Sequence, residues 1–260
     1  MKGYFVVLEG TDGSGKTEQF KLLLRALKQA GKKVLTVDFP QYGKPSAYYV
    51  EQYLHGVYGT WQEVGPKLAS AFYALDRIDA ARAIRAHLAK GGVVLANRYV
   101  GSNMGHQGAK IKNTVKRREL LKWIYDFEYN ICRIPKPDIN IFLHVPSRIS
   151  YKLISRKGER AYLKGKKRDI HEADFNHLKQ AEASYQDAVR LFPRDFKVIE
   201  CAPDGKLLSI ESIHQEVTRR LPLLAHSRAA SDGAPRSVSL RSSAFGRNRA
   251  RSDRRTRSKR

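Results

Sequence analysis

A glycine-rich segment near the N-terminus limits the folds that are open to this chain. Residues Gly10–Thr17 read GTDGSGKT, which fits the pattern G-x-x-x-x-G-K-[ST]. The preceding run Tyr4–Leu8 is apolar and typical of a strand, and a helical pattern begins at Lys16. This strand-to-helix context is the one in which the pattern forms a phosphate-binding loop. The segment therefore predicts a strand–loop–helix unit that binds a nucleoside triphosphate.

The residue types in this loop suit phosphate chemistry. Its glycines let backbone N–H groups turn inward, and the helix that follows adds the positive end of its dipole. Lys16 can reach the β- and γ-phosphates, and the Thr17 hydroxyl can bind Mg²⁺. The residues predicted to bind ATP are Gly10, Thr11, Asp12, Gly13, Ser14, Gly15, Lys16 and Thr17.

Apolar runs of strand length alternate with segments of helical spacing along residues 1–225. The predicted strands are Tyr4–Leu8, Lys33–Phe39, Gly92–Ala96, Ile139–Val145 and Phe196–Glu200. The predicted helices are Lys16–Ala30, Ser46–His55, Pro66–Lys90, Asn113–Arg133, Ser147–Lys157, Ile170–Leu191 and Ser209–Leu221. Such alternation predicts one α/β domain over residues 1–225, a five-stranded parallel sheet flanked by helices in three layers. Ligands of such sheets bind beyond the carboxyl ends of the strands.

Composition excludes several classes of protein. The 260 residues are 42% hydrophobic, which is enough for a core, but no apolar stretch approaches the ~20 residues that span a bilayer. The N-terminus lacks the pattern of a secretory signal. The only cysteines, Cys132 and Cys201, resemble packed thiols of a reducing compartment. We expect a cytoplasmic protein without a membrane association.

Positive charge is concentrated in the C-terminal segment but is not confined to it. The formal net charge is +24, and residues 226–260 hold ten Arg and one Lys against two Asp. Few hydrophobic residues occur there, so we expect a disordered basic tail. A solvated extension, a nonspecific nucleic-acid contact and a localisation signal all fit this composition. The positive charge of residues 1–225 suits anionic substrates.

Four further clusters narrow the interpretation. Asp38–Gly43 (DFPQYG) follows the second strand, and Phe72–Arg77 (FYALDR) lies in the third helix. Asn97–Asn103 (NRYVGSN) follows the third strand, and basic residues recur over residues 156–168. Together with the phosphate loop, these segments resemble those of thymidylate kinases in order and spacing, over about residues 3–220. The resemblance implies a P-loop kinase fold, transfer of the ATP γ-phosphoryl group to dTMP to give dTDP, and a homodimer.

The resemblance places the acceptor nucleotide beyond the second and third strands. Arg98 has a planar guanidinium that can grip a phosphate through two donors. Asn103 carries a donor and an acceptor that match N3–H and O4 of thymine, and Phe39 can stack on the base. Arg77 has no carboxylate three or four residues away, so an intrahelical salt bridge cannot explain it. The predicted dTMP-binding residues are Asp12, Phe39, Arg77, Arg98, Tyr99, Ser102, Asn103 and Gln107.

Two details of this acceptor site stay open at the level of sequence. Tyr99 can pack against the ribose or in the core. Family members often place an aromatic ring where it crowds a 2′-hydroxyl, and here His106 or Gln107 would have to do so.

Catalysis in this family depends on cations around the transferred phosphoryl group. Some members carry Arg directly after the loop Asp, whereas this chain has Gly13. The resemblance therefore implies that a basic lid, about residues 156–169, supplies the missing charge and excludes water. The predicted catalytic residues are Lys16, Asp12, Arg98, Arg156 and Arg160.

The predicted metal site departs from the family pattern at one position. The resemblance implies Mg²⁺ held by Thr17 and Asp12, and by residue 97 through a water molecule. Family members usually have Asp at that position, whereas Asn97 keeps an acceptor oxygen and loses the charge. On this basis, we expect Asn97→Asp to retain or raise activity at low Mg²⁺.

Two other functions remain open at this stage. A kinase of the same fold could act on another pyrimidine nucleotide or on a nucleoside, but a nucleoside has no phosphate for Arg98 to bind. An ATPase associated with nucleic acid would fit the basic charge. That interpretation leaves Phe39, Arg77 and Asn103 without a role.

Overall fold

The computed structural model describes the backbone of residues 3–162 and 175–224, and the side chains of residues 3–155 and 175–224. Strands and helices alternate along these ranges. The strands are β1 (Tyr4–Glu9), β2 (Val34–Asp38), β3 (Val93–Asn97), β4 (Ile139–His144) and β5 (Phe196–Glu200). The α-helices are α1 (Lys16–Gln29), α2 (Tyr48–Leu54), α3 (Trp61–Ala89), α4 (Val100–Gly108), α5 (Thr114–Asp126), α6 (Ser147–Tyr162), α7 (Phe175–Leu191) and α8 (Ile210–Arg219).

The five strands form one parallel sheet in the order β2-β3-β1-β4-β5. The predicted sheet is confirmed, and each strand lies within one residue of its predicted bounds. Leu8 of β1 and Asp38 of β2 are both level with Asn97 of β3. The carboxyl ends of these three strands therefore share one edge, and the phosphate loop begins there.

Side chains of the central strand β1 alternate between two hydrophobic cores. Phe5 and Val7 pack on one face with residues of α3, α4, α5 and α7. Val6 and Leu8 pack on the other face with residues of α1 and α8. Helices therefore cover both faces of the sheet, which gives the three layers that the alternation predicts.

Helix α4 is missing from the sequence-based prediction because three of its nine residues are glycine, which disfavours helices. Tertiary packing accounts for two of them. A Cβ atom on Gly105 would lie 2.3 Å from the Tyr185 ring, and one on Gly108 would lie 2.0 Å from Ser184 Oγ. Both neighbours belong to α7, so the glycines permit a close approach of two helices. Helix α4 carries three of the predicted acceptor residues.

Helix α3 begins five residues earlier than predicted. Thr60 and Glu63 form a reciprocal capping box, which satisfies free backbone donors at the first turn. The axis is interrupted at Gly65, whose φ of 70° is not helical, and Pro66 follows. The proline that marks the predicted start therefore marks a kink inside one longer element.

Two other helices also differ from expectation. Helix α5 ends at Asp126 and is followed by a π-helical turn, Phe127–Ile131, within the segment predicted to be one helix. Helix α6 continues to Tyr162, so the backbone of residues 156–162, at the start of the predicted lid, is helical. Residues 163–169 of that lid, the predicted start of α7 at Ile170 and the tail 226–260 lie outside the described residues. Among the helices that are described, none is long and apolar enough to cross a membrane.

Candidate active site

The phosphate loop joins β1 to α1 at the carboxyl edge of the sheet. Gly13 and Gly15 have φ angles of 77° and 83°, which glycine adopts without strain. The buried Lys16 folds back along the loop, and its Nζ donates to the backbone oxygens of Gly10 (2.8 Å) and Thr11 (2.7 Å). Burial lowers the pKa of this ammonium group to about 7. The loop thus combines a turn of left-handed glycines with a buried cation, as an anion site requires.

Arg98 and Asp12 form an ion pair between the end of β3 and the phosphate loop. Burial would raise the pKa of the Asp12 carboxyl, but the charges of Arg98 and Lys16 and the hydrogen bond from Arg98 together hold it well below its usual range. Arg98 has a left-handed backbone with φ of 65°, a conformation that is uncommon for residues other than glycine. Such strained positions cluster at functional sites. The pair keeps a guanidinium and a carboxylate beside the loop.

Two histidines extend this polar cluster toward α7. Arg98 Nη1 lies 3.0 Å from His106 Nε2, and the rings of His106 and His177 stack with centroids 5.7 Å apart. Burial lowers the pKa of His106 well below its usual value, so its ring is neutral near pH 7. In the neutral tautomer that suits these contacts, Nε2 accepts from Arg98 and Nδ1 donates toward His177. His177 is the third residue of α7 and was not singled out from the sequence.

One pocket of about 290 Å³ opens beside the ion pair. The structure brings together all eight residues that the sequence predicts for dTMP binding, because Asp12, Phe39, Arg77, Arg98, Tyr99, Ser102, Asn103 and Gln107 all line this pocket. Its wall also contains residues outside the predicted set, among them Asp38, Tyr53, Lys110 and His177. The roles of the eight residues toward a ligand stay predictions.

A buried ion pair occupies one wall of the pocket. Arg77 Nε and Nη2 donate to the two oxygens of Glu128, at 2.5 and 2.7 Å, and both side chains are almost completely buried. The absence of an intrahelical partner for Arg77 therefore does not leave it unpaired, since its carboxylate comes from the π-helical turn after α5. No local sequence pattern indicates this pair, because 51 residues separate its members.

Glu128 also determines the orientation of the Asn103 amide. Asn103 Nδ2 donates to Glu128 Oε1 at 2.7 Å and to the backbone oxygen of Ser70 at 3.2 Å. Both partners can only accept, so the nitrogen must face them and the amide cannot be flipped. Asn103 Oδ1 is buried and has no hydrogen-bond partner among the described residues. The pocket wall thus contains a buried acceptor without a partner among the described residues, on a residue that shares Glu128 with Arg77.

Glu9, which is not among the predicted site residues, organises the start of α4. This fully buried carboxylate accepts from the backbone N–H of Tyr99 (2.8 Å), from Ser102 Oγ (2.6 Å) and from Tyr185 Oη (3.1 Å). Burial raises its pKa, and these hydrogen bonds oppose that effect. The position of Glu9 immediately before the phosphate loop is the sequence feature that could have indicated this role. The hydroxyl of Ser102 donates to Glu9, and the predicted contact of Ser102 with dTMP stays a prediction.

Tyr99 belongs to the core. Its ring packs between Phe5 and Phe39, at centroid distances of 5.2 and 5.5 Å, and its hydroxyl donates to the backbone oxygen of Pro135 at 3.0 Å. Of the two placements open for Tyr99, the structure therefore has the core one. Phe39 is itself buried and lines the pocket, supported from behind by Tyr99.

The candidate metal residues lie at the same edge of the sheet. Thr17 is exposed at the start of α1, and the Asp12 carboxylate contacts Arg98. Asn97 Nδ2 donates to Asp38 Oδ1 at 2.9 Å, and Asn97 Oδ1 is a buried oxygen without a hydrogen-bond partner in the described part of the chain. Residues 3–162 and 175–224 contain no cluster of three or more His, Cys, Asp or Glu arranged to hold a metal unaided. A hydrated cation held jointly with nucleotide phosphates fits these oxygen donors.

The side chains of Arg156 and Arg160, the two predicted lid cations, lie outside the described residues. Their backbone continues α6, whose first turns lie beside the phosphate loop. A Cβ atom on Gly13 would meet the backbone oxygen of Ser150 at 2.7 Å and Ile154 at 3.0 Å. This contact explains why a larger residue does not follow Asp12 in this chain. Helix α6 therefore leads directly from the loop toward the predicted lid.

Comparison with known proteins gives one consistent family. The family model "Thymidylate kinase" matches residues 8–217. A thymidylate kinase of Bartonella quintana is 30% identical over 230 residues, covering 85% of this chain and all of that protein. One from Mycobacterium tuberculosis is 29% identical over 70% of this chain and 84% of its own, and a probable thymidylate kinase of Pyrococcus abyssi is 27% identical over 84% and 95%. With the phosphate loop, the sheet order and the pocket, these matches show that the chain belongs to the thymidylate kinase family.

Proposed function

We propose that this protein transfers the γ-phosphoryl group of ATP to dTMP, giving ADP and dTDP. Family membership supports this reaction directly. The main support within this chain is Asn103 Oδ1, a buried acceptor without a hydrogen-bond partner among the described residues. It belongs to a pocket that also contains Arg77 and Arg98. One pocket thus offers groups for a pyrimidine base at one wall and for a phosphate at another.

The base preference follows from donor and acceptor roles. Glu128 accepts hydrogen bonds from Nε and Nη2 of Arg77. Nη1 therefore remains to donate to a carbonyl of the base, such as O4 of thymine. Asn103 Oδ1 can only accept, so it suits the N3–H of thymine or uracil. Cytosine has an unprotonated N3 and an amino group at C4, so both contacts would be lost. Unpaired buried polar groups make such mismatches costly.

The phosphoryl transfer needs positioning and charge, and no nucleophilic side chain. An oxygen of the acceptor phosphate attacks the γ-phosphorus, and ADP leaves. Lys16 stabilises charge on the ATP phosphates, and Arg98 orients the acceptor phosphate beside the loop. Asp12 holds Arg98 in place through their ion pair. The lid residues Arg156 and Arg160 complete the positive shell in this proposal.

Mg²⁺ is part of the proposed reaction. Thr17, Asp12 and Asn97 would hold the hydrated ion together with ATP. Bound there, Mg²⁺ neutralises charge on the ATP phosphates. The unpartnered oxygen of Asn97 supports this placement.

We also propose a cytoplasmic homodimer. The outer face of α3 exposes Leu68, Leu75 and Ile78, which follow one another at helical spacing. A row of exposed aliphatic residues on a long helix suits a self-complementary contact between two copies. Cys132 and Cys201 are both free thiols, which fits a reducing compartment.

ADP release in the presence of ATP and Mg²⁺ tests the reaction. The acceptors are dTMP, dUMP, UMP, dCMP and AMP, each assayed with the unaltered protein, with Arg98→Ala and with Arg25→Ala. Arg25 is exposed on α1 and controls for the loss of one positive charge. We expect turnover with dTMP, less with dCMP and AMP, and loss of turnover in Arg98→Ala alone. Equal ADP release with and without any acceptor would contradict the proposal and indicate an ATPase.

A further inference from the structure

The end of β2 contains a carboxylate that the predicted machinery does not use. Asp38 is level with Asn97 on the adjacent strand and lines the pocket together with Asp12 and Arg98. Among the described residues, no Lys, Arg or His lies within 4.0 Å of its carboxylate, so it has no ion-pair partner there. Arg98 and Lys16 act on this carboxylate only from beyond ion-pair distance. Its negative charge would repel the phosphates of a bound nucleotide unless a cation joins it.

Asn97 holds this carboxylate in a defined position. Its Nδ2 donates to Asp38 Oδ1 at 2.9 Å, and this hydrogen bond leaves Asn97 Oδ1 buried without a partner. The amide therefore orients a charge on one side and presents an oxygen on the other. Hydrated Mg²⁺ prefers such oxygen donors, one charged and one neutral.

We propose that Asp38 supplies the negative charge that supports Mg²⁺ in this protein, and that Asn97 is the residue that positions it. This inference rests on the proposed function. The charge that family members usually carry at the end of the third strand lies on the second strand in this chain. The side chains at the two positions are hydrogen-bonded to each other, so a carboxylate at either position lies in the same site.

The hydrogen bond between Asn97 and Asp38 leads to a different expectation for Asn97→Asp. The sequence alone predicts retained or raised activity at low Mg²⁺, whereas this contact predicts weaker binding of Mg²⁺. An aspartate at position 97 would have no N–H to donate, and it would bring a second carboxylate within hydrogen-bonding distance of Asp38. Two carboxylates at this distance repel each other, so Asp38 would lose the position that the Asn97 amide gives it. The single variant should therefore weaken the Mg²⁺ site. Exchanging the two residues should restore one carboxylate and one amide.

The test measures Mg²⁺ dependence for Asp38→Asn, Asn97→Asp and the exchanged double variant. Binding of a non-hydrolysable ATP analogue is followed calorimetrically as Mg²⁺ is varied, without dTMP, and bound Mn²⁺ is followed by electron paramagnetic resonance. Asp79→Asn removes the same charge from the exposed face of α3 and serves as the control. Thermal unfolding confirms that each near-isosteric variant is folded.

We expect each single variant to need about tenfold more Mg²⁺ or Mn²⁺ for half-saturation, a typical effect for residues that support a metal site. The affinity for the analogue in excess chelator should not change. The double variant should return to within about threefold of the unaltered protein. Unchanged metal dependence in Asp38→Asn, or a double variant weaker than both single variants, would overturn the inference. Because no acceptor is present, failure of dTMP turnover would be a separate result.

Discussion

Glu128 links two pocket residues that lie far apart in the sequence. It accepts two hydrogen bonds from Arg77 and one from Asn103, and it is completely buried. It does not need to touch the base to determine which base binds. Its carboxylate leaves Arg77 as a donor and Asn103 as an acceptor toward the pocket.

Replacing Glu128 with Gln should disturb base binding and stability together. The variant removes the charge that compensates buried Arg77, which costs about 3 kcal/mol of unfolding free energy. Its amide nitrogen cannot accept from Arg77 or Asn103, so we expect the KM for dTMP to rise about tenfold. The KM for ATP should stay constant. Glu119→Gln, on the exposed side of α5, is the control. Equal KM values for dTMP in the two variants would show that Glu128 has no positioning role.

At the scale of elements, the contact between α4 and α7 brings the acceptor residues to the sheet edge. The variant Gly105→Ala tests how closely α4 and α7 approach, because it has two opposite effects on the free energy of unfolding. Alanine favours a helix by about 1 kcal/mol over glycine, whereas its Cβ would lie 2.3 Å from the Tyr185 ring. Overpacking costs about 1–3 kcal/mol, so we expect a net loss of stability in urea unfolding. A more stable variant would mean that the two helices do not approach this closely.

The ends of β4 and β5 are joined to α7 by a charged histidine. His144 Nε2 lies 2.9 Å from Glu182, and His144 Nδ1 lies 2.6 Å from Glu200. The hydrogen bond with Glu182, followed by that with Glu200, raises the pKa of His144 to about 9, against the effect of burial. Protonated His144 therefore stabilises the folded state.

This pKa predicts a loss of stability in alkali. An unfolded histidine titrates near pH 6.5, so the stabilisation is complete below about pH 6.5 and is lost as pH rises through about 9. We expect about 2 kcal/mol over this range, measured by urea unfolding at a series of pH values. His144→Gln should remove most of the difference between pH 6 and pH 9.5. A variant with the same pH dependence as the unaltered protein would exclude His144 as its source.

At the scale of the whole molecule, the exposed face of α3 predicts self-association. Leu75→Lys places a charge in the centre of that face, and we expect sedimentation to show a monomer where the unaltered protein forms a dimer. Leu207→Lys adds the same charge to another exposed aliphatic position and should leave the dimer intact. A dimer that survives Leu75→Lys would place the interface elsewhere.

The basic tail makes a separate prediction at this scale. Residues 226–260 lie beyond the family match at residues 8–217. We expect deletion of residues 226–260 to leave the kcat for dTMP within about twofold, because the deletion removes none of the pocket residues. Retention on DNA should weaken and its salt dependence should become less steep. A large loss of kcat would instead connect the tail with catalysis.

The fold depends mainly on local patterns, whereas the pocket residues were predicted with the help of the resemblance to thymidylate kinases. Apolar runs of strand length predicted the strand bounds, the glycine-rich motif predicted the phosphate loop, and all eight predicted acceptor residues line one pocket. Such features can be read from the sequence because neighbouring residues share one strand, turn or helix. The helical glycines of α4 contradict local propensity, and that helix was therefore missed.

The roles of individual side chains depend on contacts between distant segments. Glu128 pairs with Arg77 across 51 residues, and Asp38 meets Asn97 across 59. Sequence position alone did not indicate that the hydroxyl of Ser102 bonds Glu9 or that the ring of Tyr99 packs in the core, although both residues line the pocket as predicted. Hydrogen-bond partners and burial arise when strands and helices pack together. A linear pattern therefore locates the site, and the three-dimensional packing assigns the donors, acceptors and charges within it.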